Sequence, residues 1–66
     1  MFAITGIDGN TRSILGKYET LAEAREAGER IYRESARHMS ISLIEAEFDG
    51  KDQIIGREYK LYHMWG

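Results

Sequence analysis

Thr20-Leu21-Ala22-Glu23-Ala24-Arg25-Glu26-Ala27-Gly28-Glu29-Arg30-Ile31-Tyr32-Arg33-Glu34-Ser35 is the one segment with helical periodicity, and β-type sequence lies on both sides of it. Thr20 with Glu23 three residues on is a capping box, in which the Thr hydroxyl accepts from the Glu23 N–H and the Glu carboxylate reaches back to the Thr20 N–H. From there Leu21, Ala24, Gly28, Ile31, Tyr32 and Ser35 recur on one face, while Glu23, Glu26, Arg30, Arg33 and Arg37 lie mostly on the other. Glu26 with Arg30 and Glu29 with Arg33 are i,i+4 pairs in the favourable order, worth ~0.2–0.5 kcal/mol each, and read as solvated surface. Gly28 costs about 1 kcal/mol relative to Ala in a helix interior, so close approach of the helix backbone to a sheet is the expected compensation. The helix frays between Ser35 and His38, and Arg37-His38-Met39 places cationic side chains where they complement the macrodipole.

On the N-terminal side, Phe2 to Ile7 is rich in β-formers, and Asp8-Gly9 is a preferred type I′ hairpin turn leading to a return strand, Thr11 to Tyr18. With Asp8 and Gly9 in the turn, Ile7 pairs with Asn10 and Thr5 with Arg12. Phe2, Ile4 and Leu15 then share one face, and Ala3, Ile7, Ile14 and Tyr18 the other. On the C-terminal side, Ser40 to Phe48 is a third strand, Asp49-Gly50 a second turn, and Gln53 to about Trp65 a long fourth strand. That register sets Ile44 against Ile55 and Ala46 against Gln53. Ile44, Ala46, Phe48, Ile55, Tyr59 and Leu61 form one face, and Ile41, Leu43, Ile54 and Tyr62 the opposite one. Gly16 and Gly56 within strands point to bulges or close backbone approach.

The fold class is α+β: a ββαββ chain, most simply a four-stranded antiparallel sheet of two hairpins with one helix on one face, in a single domain spanning residues 1–66. A helix of roughly 16 residues is about 24 Å long and about 10 Å wide, enough to cover one sheet face but not both. The other face should keep Ile14, Tyr18, Ile41, Leu43, Ile54 and Tyr62 in view. An apolar patch of that size marks an interface, so a homodimer or larger assembly is expected.

Bulk properties narrow the classes. At 66 residues the chain sits near the lower limit of independent stability, and it contains no Cys to staple it or to act as thiol nucleophile. An intracellular, cytoplasmic protein is expected, since Met1 to Ile7 lacks the basic region and apolar length of a signal or membrane segment. A net charge of -2 with both signs mixed provides no global field for nucleic acid or anionic membrane.

The aromatic C-terminal strand, from Arg57 through Tyr59, Tyr62 and His63 to Trp65, is the most distinctive remaining stretch. Aromatics interleaved with Arg and Lys can stack bases, but Tyr62, Met64 and Trp65 fit a subunit interface better. His38 and His63 have no partner at metal-ligand or general-base spacing. Asp8-Gly9-Asn10 and Asp49-Gly50-Lys51-Asp52 lack the ligand count of a calcium loop. The serines have no elbow motif or paired base. No catalytic, cofactor or metal set is expected.

Gly16-Lys17-Tyr18-Glu19-Thr20-Leu21-Ala22-Glu23-Ala24, with Ala27 and Ile31 beyond, resembles the strand-to-helix junction of several small α+β families, including the HicB-type antitoxins. The likeness covers about a quarter of the chain and the strand count departs from that family, so no function is carried over. The expected function is that of a small non-enzymatic, self-associating interaction protein, accessory or inhibitory, of phage or mobile-element style. It binds a protein partner through the open face or last strand, at Ile14, Tyr18, Ile41, Leu43, Ile54, Arg57, Tyr62, His63 and Trp65. Alternatives are an oligomer holding a nucleotide-like anion between Tyr or Trp rings and Arg12, Arg57 or Lys60 at a subunit interface, and a single-stranded nucleic-acid module.

Overall fold

A computed structural model describes residues 1–35, 40–51 and 53–65. Strands β1 (Phe2–Asp8) and β2 (Thr11–Tyr18), helix α1 (Leu21–Ser35), and strands β3 (Ser40–Glu45) and β4 (Lys60–Trp65) follow in the order ββαββ. The four strands form one antiparallel sheet, ordered β2-β1-β3-β4. The interior strands β1 and β3 carry the buried runs, and β2 and β4 are the edges.

The helix starts where the capping box puts it. Thr20 Oγ1 accepts from the Glu23 N–H at 3.2 Å. The reciprocal arm differs from the expected one, because the Glu23 carboxylate accepts from the Thr20 hydroxyl at 2.9 Å. The expected Arg37-His38-Met39 terminus lies outside the described residues. Leu21, Ala24, Ala27, Gly28, Ile31 and Tyr32 turn inward, as the periodicity requires.

Beneath the helix, on what we term the first face, Ile4, Ile41, Leu43 and Trp65 pack with Ala24. Removing a Leu or Ile side chain of this kind from water is worth about 1.5–3 kcal/mol. Gly28 meets the expectation of close approach in a specific way, since a Cβ there would come within 2.9 Å of Cζ2 of the Trp65 indole. The helix glycine and the last strand's tryptophan are thus one packing unit.

Two register differences re-sort the faces. In the first hairpin Asp8 pairs with Thr11 and Ile7 with Arg12, so the turn is Gly9-Asn10, with Gly9 at φ 66°. The register then slips between Ile4 and Thr5, leaving Leu15 as a bulge and pairing Phe2 with Tyr18. Ile14 therefore stays opposite the helix beside Thr5, but Tyr18 moves to the first face and packs on its core. In β3 the assignment is reversed: Leu43 pairs with Ile4, so Ile41 and Leu43 lie under the helix, and Ala3 pairs with Ile44 on the second face.

The long fourth strand is also corrected. β3 ends at Glu45, although Ala46 N–H donates to the Met1 carbonyl at 3.0 Å, and β4 begins only at Lys60. The described residues 46–51 and 53–59 instead build a lobe. Its neck is the bridge between Phe48 and Ile54, and its tip is organised by Asp49, whose carboxylate accepts from the Lys51 and Gln53 N–H groups at 2.8 and 2.9 Å. A 3₁₀ turn at Ile55–Arg57 follows, with Gly56 at φ 83°, a conformation that glycine adopts without the steric cost of a Cβ. Gly56 thus ends the strand pattern instead of bulging within it.

Candidate binding surfaces on the second sheet face

The face opposite the helix has two unlike halves. Over β1 and the lower part of β3, Phe48 and Ile54 of the lobe pack on Ala3, Ile44 and Ala46. This small second core exists because the second face of β1 and β3 is itself apolar at Ala3 and Ile44, and the lobe supplies the matching pair.

Between the lobe and β2 lies a cleft of about 310 Å³ lined by Thr5, Arg12, Ile14, Phe48, Gln53 and Ile54. Thr5 is buried and faces Ser42 across the β1–β3 ladder. The Arg12 guanidinium stands 5.3 Å from the centre of the Tyr59 ring, a cation–π distance that links β2 to the end of the lobe just before β4. Among the described residues, no carboxylate lines the cleft and no ion pair to Arg12 forms. On the far side of the lobe the Lys17 ammonium lies 5.8 Å from the Phe48 ring centre.

Asp49 holds the lobe tip electrostatically. Hydrogen bonds from the Gln53 and Lys51 amides favour its ionised form and lower its pKa from the ordinary value of 3.8.

The other half of the face belongs to β4 and has no lobe over it. A register slip between Leu43 and Ile44 leaves Tyr62 as a bulge, with Leu61 opposite Ile44 and His63 opposite Leu43. Leu61 and Met64, which pair with the second-face residues Ile44 and Ser42, stand 48% and 58% exposed on an edge strand. Tyr59, two residues before Leu61 in the chain, is 45% exposed and meets Arg12. The bulge turns Tyr62 the other way: its hydroxyl donates to Glu45 Oε1 at 2.9 Å and its ring meets Phe2 edge-on at 5.5 Å.

The nine residues singled out from sequence therefore do not form one surface. Ile14 and Ile54 line the cleft together. Ile41, Leu43 and Trp65 are buried under the helix and present no open surface in this fold. Tyr18 joins that core, and His63, half-buried, sets its ring edge-on to Trp65 at 4.5 Å. Arg57 lies in the 3₁₀ turn, and Tyr62 is engaged with Glu45 and Phe2. Met64 was expected at an interface, but Leu61 was placed on the covered face, because strict alternation gives no sign of a bulge at Tyr62. A Leu-Tyr-His-Met run on a strand with one Lys was the available signal.

Compared with protein-family models, with characterised proteins and with solved structures, the chain finds no match. Among the described residues, no helix is long and apolar enough to cross a membrane.

Proposed function

We propose that the chain is a small non-enzymatic interaction protein that self-associates through β4, a second copy covering Leu61 and Met64. The observation that carries this reading is the pair of large apolar side chains, Leu61 and Met64, standing about half exposed or more on an edge strand that neither the helix nor the lobe covers. Edge strands of stable monomers are ordinarily blunted by charge or cover, and β4 carries one charged residue, Lys60, at its start.

Light scattering coupled to size exclusion tests the reading. Wild-type protein at micromolar concentration is expected to run at a multiple of 7.6 kDa, and a Leu61→Glu, Met64→Glu variant with unchanged circular dichroism at 7.6 kDa. A wild-type mass of 7.6 kDa contradicts it. Capture of a macromolecular partner is best compared between wild type and this variant. The buried Trp65 is unsuitable, because truncating it opens the core.

A further inference from the structure

We propose that the cleft between β2 and the lobe binds a small monocarboxylate with an aromatic or branched apolar body. The cleft is near the lower end of the volumes that hold small ligands, so the occupant is small. Its walls are Ile14, Phe48 and Ile54, which suit an apolar body, and Thr5 and Gln53 provide neutral polar groups. Among the described residues Arg12 is the one charged residue in the lining, in a chain whose acidic residues outnumber its basic ones by 11 to 9.

A guanidinium presents paired N–H donors that match a carboxylate, and stacking on Tyr59 restricts the side chain before a ligand arrives. A single cation suits a monoanion better than a phosphate dianion, which is usually met by several donors and charges. The site lies within one chain, so it is independent of the β4 contact.

The test is a titration of ¹⁵N-labelled protein with benzoate, benzamide and inorganic phosphate. Benzoate is expected to give saturable shifts confined to the amides of Thr5, Ile14 and Gln53 and their neighbours. Benzamide, with the same ring and no charge, is expected to bind at least about tenfold more weakly, the loss typical of one charge-assisted hydrogen bond. Arg12→Gln should weaken benzoate by a similar factor while leaving the dispersion of the spectrum intact, and Arg12→Lys should restore part of the loss. Absence of saturable benzoate shifts, equal affinity for benzamide, an unchanged affinity in folded Arg12→Gln, or tighter binding of phosphate at the same amides would each overturn the proposal.

Discussion

The two faces of this sheet are finished by different means. On the first, a fifteen-residue helix lays Ala24, Ala27 and Gly28 against Ile4, Ile41, Leu43 and Trp65, with close packing and complete burial of the aliphatic side chains. On the second, a lobe held by one bridge and one carboxylate covers half the surface, leaving a polar-floored cleft beside it and an apolar strip on β4. The first face has the burial that stabilises a fold, and the second keeps the exposed apolar side chains on which the proposed self-association rests. On the proposed reading, stability and recognition in this short chain are divided between opposite sides of one sheet.

That division can be broken most severely at Leu43. Leu43→Ala should cost about 2–5 kcal/mol in urea unfolding, a cost of the order of the whole stability of many small domains. Phe48→Ala removes a half-buried side chain from the lobe and should cost less, about 1–2 kcal/mol, with the loss of amide protection confined to residues 46–59. Equal costs at the two positions would contradict the contrast between the faces. Gly28→Ala sharpens it further: helix propensity alone favours Ala by about 1 kcal/mol, but the added methyl overpacks against Trp65. A net loss of about 1–2 kcal/mol is expected, and a gain in stability would show that helix and indole are not in the described contact.

The smallest expected effect is at Asp49. Its pKa is lowered on folding, so its ionised form supports the lobe above the ordinary value of 3.8, and that support is lost as pH falls below 3.8 through the folded value. Amide shifts of Lys51 and Gln53 should follow this acid step, and Asp49→Ala should abolish it. An identical pH profile in the variant would assign the step to another group.

Much of the fold is legible in the residue pattern, because the capping box, the helical stripe and two Asp-Gly segments act locally. The element order and the antiparallel sheet with its one helix follow from these. The allocation of side chains to faces does not, since bulges at Leu15 and Tyr62 each shift the alternation by one residue, and pattern alone gives no count of the extra residue. The lobe escaped notice for a related reason. Ile54-Ile55-Gly56 has strand composition, but Gly56 takes a positive φ that ends the strand, and Asp49 binds the local amides in place of a tight hairpin. The exposure of Leu61 and the pairing of Arg12 with Tyr59 depend on those same shifts, so the candidate surfaces were the least readable part of the chain.

The most direct measurement follows the methyl shifts of Leu61 and Met64 across a dilution series, with those of Ile41 and Leu43 as internal controls. If β4 is the contact between copies, the first pair moves with concentration along a saturating curve while the buried pair stays fixed. Concentration-independent Leu61 and Met64 shifts, or movement of the helix-covered pair instead, would contradict the assignment of recognition to the second face.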